Sequence, residues 1–556
     1  MLWANNTSSG ISTFNTALGY QALYGGPSPA LNTGTSNTAI GDNSLFANTS
    51  GSMNTGLGSQ TLKSNTTGGS NTAVGSQALQ LNTTGSDNIS IGMSSLTSNT
   101  TGEKNVAVGK SALYSNTTGI ENTSVGHGSL YANTTGGSNV SMGIWSLSFN
   151  STGSNNTAIG TSAAAQNTTG SFNLALGTGA LVSNRANSRT TALGHYAMLY
   201  ADPRTEGIET FNTAVGYEAL RGSANAPDNT GIANVAVGDQ SMSSNASGSF
   251  NTAVGRQSLK SNTTGESNTA FGNAALYKNE TGTGNTGVGK NSLYENLGSG
   301  NSALGIASLQ QNTTGNNNTA VGNEALKFNT TGINNTASGV ESLTLNTTGN
   351  YNTAYGAISL HNNIMGSANT AIGEGASFQN TTGDQNVAIG SGALYGNQGN
   401  HRTTAVGFRA MHNADDRTSG RDTYNTALGY KAMHGSGTSA SNTGQYNTAI
   451  GDQALTNITS GDYNTAVGSS ALGTSDLGNF NTAIGANALL SNMESSNTAV
   501  GNSAMHFNTS GYQNAALGKD ALVNNTSGYG NTAIGFNAMI TNDVGNSLSL
   551  IHISEP

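Results

Sequence analysis

Apolar and polar residues alternate along this chain in short bursts, with no helical stripe. From Asn71 to Asp87 the order is Asn71-Thr72-Ala73-Val74-Gly75, Ser76-Gln77, Ala78-Leu79-Gln80-Leu81, then Asn82-Thr83-Thr84-Gly85-Ser86-Asp87. No 3.6-residue period runs through it, so the pattern predicts strand, turn, strand, turn. The third position is small (Ala73, Ser90, Ala107), the fourth is aliphatic (Val74, Ile91, Val108), and the fifth is glycine (Gly75, Gly92, Gly109, Gly126, Gly143, Gly160). A second small-large pair follows, as in Ala78-Leu79, Ser95-Leu96 and Ala112-Leu113. Neighbouring strand residues face opposite ways. The expectation is that Val74, Ile91 and Val108 fill a thin interior with Leu79, Leu96 and Leu113. The Ala and Ser rows would then lie outside as a smooth strip for subunit contact. The glycine would supply a left-handed corner or a close backbone approach, and Asn-Thr-Thr-Gly a second turn.

This unit recurs. Asn71 is followed by Asn88, Asn105, Asn122, Asn139, Asn156 and Asn173, each 17 residues on, and the register runs from Asn15 to Asn531 for about 30 units. Thr190 and Thr403 replace the leading Asn, and one residue is lost before Asn301 and before Asn497. Longer, 22-residue units occupy 15–36, 190–233 and 403–446. The segment beginning Thr190-Thr191-Ala192-Leu193-Gly194 is echoed 213 residues later by Thr403-Thr404-Ala405-Val406-Gly407, a second level of duplication. Periodicity of this kind marks a solenoid. The fold class expected is all-β, a parallel β-roll or β-solenoid continuous over 15–546, with the extra residues of the long units bulging as loops. Stacked at about 4.8 Å per coil, 30 coils would make a rod of roughly 140 Å. Residues 1–14 read as a truncated lead-in. The tail 547–556 resembles no repeat and is similar to the translation of a sequencing-library adapter, so it reads as non-native.

Composition narrows the function. Charged residues make up only 8% of the 556, with a net charge of −9 spread thinly. A conventional enzyme, a nucleic-acid partner and contact with an anionic membrane are all disfavoured. There are 77 Gly, 5 Pro and no Cys, so disulfides and thiolate metal sites are excluded. No signal peptide or transmembrane stretch is recognisable.

Runs such as Asn71-Thr72-Ala73-Val74-Gly75-Ser76-Gln77-Ala78-Leu79 and Asn105-Val106-Ala107-Val108-Gly109-Lys110-Ser111-Ala112-Leu113 resemble the head repeats of YadA-like trimeric autotransporter adhesins. They are also similar to Asn-Thr-Ala-x-Gly arrays in phage tail fibres. The resemblance implies a β-roll in a homotrimer that attaches to a host surface or polysaccharide. The family's typical repeat is shorter than 17 residues, and its coiled-coil stalk, anchor and chaperone domain have no counterpart in this sequence.

Several residues invite a chemical reading. Asn82, Asn99, Asn116, Asn133, Asn167, Asn262 and Asn312 match the N-glycosylation acceptor; the alternative is that Asn and Thr serve the turn and its stacked hydrogen bonds. The leading Asn residues suggest a side-chain ladder. Tyr114, Tyr131, Tyr277, Tyr294 and Tyr395 would either form an exposed aromatic row or shield the coil edge. An ice-binding threonine array is disfavoured because Thr83 and Thr84 are adjacent and the 22-residue units would break the register. Asp415, Asp416 and Arg417 read as a solvated turn, and His127, His195, His361 and His434 share no metal-ligand spacing. No catalytic residue, metal site or cofactor is expected.

The sequence therefore points to a non-catalytic extracellular fibre or cell-surface adhesin. Alternatives are a virion tail fibre, a glycan-coated self-assembling filament, and, in another class, a solenoid carbohydrate-active enzyme.

Overall fold

The computed structural model describes residues 13–25, 32–225, 228–474 and 477–552. Most of the lead-in and the last four residues of the tail lie outside this set. The chain forms two compact units, Met1–Thr283 and Gly284–Pro556. The first carries fifteen strands among the described residues, β1 (Thr16–Leu18) to β15 (Thr269–Phe271), and the second sixteen, β16 (Thr286–Val288) to β31 (Ser549–Ile551). Each unit is a parallel β-solenoid with one three-residue strand per coil, every strand paired in register with the next, as in Thr72↔Ile89, Ala73↔Ser90 and Val74↔Ile91.

The expected second strand does not form. Ala78-Leu79-Gln80-Leu81 is turn, because Gln77 (φ 61°) and Leu79 (φ 51°) adopt left-handed backbone that a strand cannot hold. The coil still bonds to its neighbours through this segment: Gln77 N–H donates to Ser59 O at 2.9 Å, Leu79 N–H to Ser95 O at 3.1 Å and Leu81 N–H to Thr97 O at 2.9 Å. A turn this regular satisfies its buried backbone groups as a ladder would.

The interior is inverted relative to the sequence expectation. In the strands Thr72–Val74, Ile89–Ile91 and Val106–Val108 the middle residue is wholly buried, whereas Val74 and Val108 are half-buried and Ile91 is exposed. The aliphatic column thus lies outside, and the Ala and Ser rows are core. Leu79, Leu96 and Leu113 do fill the interior, so each of these coils buries one large side chain, not two. The space left over is closed by two columns of buried asparagine. Asn88 donates through Nδ2 to Asn71 Oδ1 (3.1 Å) and Gly102 O (2.9 Å), and its N–H donates to the same Asn71 Oδ1 at 3.0 Å. Asn99 donates likewise to Asn82 Oδ1 (2.7 Å) and Gly102 O (2.9 Å). Polar groups can line the interior because these coils supply partners to one another.

Glycine has two separate jobs. At Gly75 φ is +116°, and a Cβ would sit 2.8 Å from the carbonyl of Gly92 in the next coil, so both conformation and space require glycine. The turn glycine Gly85 does not adopt positive φ, nor does Asn82; there a Cβ would press on Asn82 Oδ1 at 2.6 Å. The left-handed residue of this turn is Asp87 (φ 60°).

The 22-residue coils keep the strand register, with Thr191↔Thr213↔Val235 in the first unit and Thr404↔Thr426↔Thr448 in the second. Their extra residues are taken up after the interior leucine or methionine, and the strand face continues unbroken. Register was one of the two grounds for setting aside a threonine array, and it does not hold. At the C-terminal end Ser549–Ile551 pairs with Thr532–Ile534 although Leu548 stands where other coils have Asn.

Candidate functional surface

Strand alternation puts two columns on the outer face of every coil: the residue before the buried Ala or Ser, and the one after it. The first is mostly Thr (Thr38, Thr55, Thr72, Thr123, Thr157) with aliphatic substitutes (Ile89, Val106, Leu174); the second is Ile40, Leu57, Val74, Ile91, Val108, Val125, Met142, Ile159 and Leu176. Ile89 and Ile91 are each 40% exposed, and nothing among the described residues covers them. Parallel sheets are normally covered on both faces, and a contiguous apolar surface on a soluble protein marks an interaction site.

In the second unit the column preceding the leading Asn adds aromatic rings to this face. Tyr424, Tyr446, Tyr463 and Phe480 stack with centroid separations of 5.1, 4.7 and 5.2 Å. Arg402 caps the stack 5.5 Å above Tyr424 and holds Asp422 at 2.8 Å. Rings stacked on one another present edges, not faces.

The glycosylation candidates are placed otherwise than their motif implies. Asn82, Asn99, Asn116, Asn133, Asn167, Asn262 and Asn312 are wholly buried. Their Nδ2 groups, the atoms a glycan would occupy, are committed to ladder bonds such as Asn82 to Asn65 Oδ1 at 2.7 Å and Asn312 to Asn296 Oδ1 at 2.7 Å. The folded stack does not offer them for modification. The threonines beside them differ by one position: Thr83 Oγ1 bonds Thr100 O at 3.0 Å, while Thr84 is exposed.

Of the tyrosines singled out in the sequence, Tyr114 and Tyr131 stack at 5.1 Å on the coil edge, and Tyr395 lies in a longer ladder. That ladder runs His361, Phe378, Tyr395, His412, His434, with separations of 5.3, 5.1, 4.9 and 5.6 Å. His361 meets Glu341 at 3.6 Å. His127 and His195 lie in the other unit, beside Trp145 and Tyr217. Among the described residues no three metal-capable side chains converge.

Asp415 is not a solvated turn residue. It is 3% exposed, and Arg417 Nε approaches its two oxygens at 2.8 and 3.0 Å, with Arg421 Nη2 at 3.4 Å. The carboxylate holds Arg417 above its ordinary pKa, whereas burial lowers that of Arg421. Asp202 and Arg204 repeat the device in the first unit, at 2.6 Å. Each pair folds its long loop back over a cavity of about 40 Å³. In the second unit Asn397 Oδ1 and Asn400 Oδ1, both buried, have no hydrogen-bond partner; for Asn397 the reason is that the asparagine column is interrupted at Ala414 in the next coil.

Sequence reasoning missed the stacked column Tyr424 to Phe480 and the basic residues beside His412 and His434. Their signal was present as like residues at like repeat positions, but it extends over only two to four coils. None of the described helices is long and apolar enough to cross a membrane. Comparison with models of protein families finds none that matches, and comparison with curated proteins finds no match either. The kinship that can be stated is therefore architectural: this chain is a tandem-repeat parallel β-solenoid.

Proposed function

We propose that this chain is a structural repeat protein, an extracellular fibre or surface adhesin without catalytic activity, and that copies of it associate through the outer strand face. The observation that carries the reading is that uncovered face, with aliphatic and threonine columns in register along each unit. A strand segment of three residues spans about 10 Å and coils repeat every 4.8 Å or so, so fifteen coils offer roughly 700 Å². That approaches the roughly 800 Å² per partner of a stable interface. Identical columns on each copy suit a symmetric assembly, and a trimer is the arrangement that the likeness to adhesin head repeats favours. The Ala and Ser rows first considered for this contact are inside the coil and take no part.

Replacing Ile91 and Val125 with lysine would put two charges into the contact without touching the interior. Sedimentation velocity should find the unaltered chain as an oligomer and I91K/V125K shifted to monomer, with unchanged β-sheet circular dichroism. A monomer at every concentration in the unaltered chain would refute the reading.

A further inference from the structure

Two consecutive 22-residue coils of the second unit carry an aromatic ring, a cation and a histidine at the same three positions: Phe408, Arg409 and His412 in one, Tyr430, Lys431 and His434 in the next. Register places each over its counterpart. Phe408 and Tyr430 stack at 5.6 Å, His412 and His434 at 5.6 Å. Arg409 lies 5.3 Å over Phe408 and Lys431 5.3 Å over Tyr430. The rings hold the two cations in place, and neither cation forms an ion pair among the described residues. Two fixed positive charges and two titratable imidazoles thus form a grid on one outer edge, in a chain whose net charge is −9.

The surroundings do not neutralise the grid. On the preceding coil it meets Gly392 and Tyr395; the Gly392 carbonyl accepts a hydrogen bond from His412 Nδ1 at 2.8 Å. On the following coil Asp452 and Gln453 take the equivalent positions, and Gln453 donates to Asp452 Oδ1 at 3.4 Å. Asp452 on that side and Glu374, two coils back on the other, are the carboxylates that bound the patch. The duplicated coils of the first unit place His195, Tyr196 and Leu199, then Tyr217, Glu218 and Arg221, at these positions. The cationic grid is therefore particular to the second unit and is not required by the fold.

The geometry points to Arg409, Lys431, His412 and His434, with the exposed edges of Phe408 and Tyr430, as a docking patch for a linear acidic polysaccharide, sulfated or carboxylated. Two fixed cations and two imidazoles in two short rows fall short of the roughly 6–10 phosphate contacts over which a strongly salt-dependent DNA affinity is built. No amphipathic helix accompanies them, as would suit a membrane surface. A linear glycan lying along the stack can place successive anionic groups against successive coils, with its C–H surface on the ring edges. Protonation of an imidazole adds positive charge to the grid, so attraction to a polyanion rises in acid. The inference rests on the attachment role proposed above but not on self-association.

The test is binding of the full chain to immobilised heparin, with neutral dextran, duplex DNA and phosphatidylserine vesicles as controls, at about pH 7.5 and about pH 5.5. The expected result is salt-sensitive heparin binding that tightens at the lower pH and is weakened about tenfold or more in R409S/K431S. The variant H412Q/H434Q should keep the neutral-pH affinity and lose the gain in acid. Circular dichroism checks that both variants fold; R409E alone, at an exposed side chain, provides the same readout should the double variant misfold. Unchanged heparin affinity in R409S/K431S, or dextran, DNA or vesicles binding as tightly as heparin, would overturn the assignment. An oligomer that binds no heparin would sink this patch and leave the fibre reading standing.

Discussion

Inside the coil, single atoms decide what is tolerated. The buried third position is Ser in three coils (Ser90, Ser124, Ser141), and in each the facing eighth position is also Ser (Ser95, Ser129, Ser146). Ser90 Oγ lies 2.5 Å from Ser95 Oγ and donates to Ser95 O at 2.9 Å, while Ser95 Oγ reaches Gly92 O at 2.9 Å. A buried hydroxyl without its partner is penalised, whereas exchanging both for methyl groups is nearly neutral. Each hydroxyl keeps its backbone acceptor when the other is removed, but the two also touch each other, so the two losses should not add. S95A is expected to cost about 1 kcal/mol and S90A/S95A distinctly less than the two single changes summed, read from urea unfolding by circular dichroism. The sequence displayed this pairing as correlated identities; that the two positions touch across the interior became visible only with the coil closed.

At the scale of one coil, the long units differ from the rest in carrying titratable groups close to the interior. His434 is held below its ordinary value of 6.5, first by burial and then by His412, Lys431 and Arg409, against a hydrogen bond to Gly435 O that acts the other way. Because the folded chain resists the proton that the unfolded chain accepts, this contribution to stability is intact above about pH 6.5 and is lost as pH falls below it. Melting followed by circular dichroism should give a lower Tm at about pH 5.5 than at about pH 7.5, and H434Q should reduce that difference. Heparin, if it docks on this grid, should narrow the gap in the unaltered chain and leave H434Q less affected. The candidate patch was only partly legible beforehand: His434 stood out as an isolated histidine, but its stacking on His412 depends on a 22-residue step keeping register, which a one-dimensional reading of the loop lengths suggested it would break.

For the whole molecule, stability is a sum of coils and of the contacts between neighbours. Removal of residues 105–121 joins Lys104 to Asn122 and leaves Ser90 to pair with Ser124. This shortened chain is expected to fold with an unchanged β-sheet spectrum and nearly the same Tm. Removal of residues 105–112, about half a coil, puts a leucine corner against an asparagine column and should abolish cooperative melting. A shortened chain that loses its fold on removal of the full coil would contradict the nearest-neighbour picture.

The chain's period, its glycine corners, its interior leucines and its parallel coil-on-coil pairing all follow from local chemistry that repeats, and so they could be read from the residues alone. Which side of the strand faces inward could not, since alternation assigns Val74 and Ala73 to opposite faces without saying which is the core. The tertiary structure settles this through the company each residue keeps. Asn71 shares a face with Ala73, and its amide, costly to bury in a single coil, is satisfied by the equivalent amides above and below. The narrow interior, already holding Leu79 and two asparagine columns, has room for alanine or serine, and the larger aliphatic residue is left outside. An asparagine that looks like surface in one repeat is core in a stack, and the surface available for a partner changes with it.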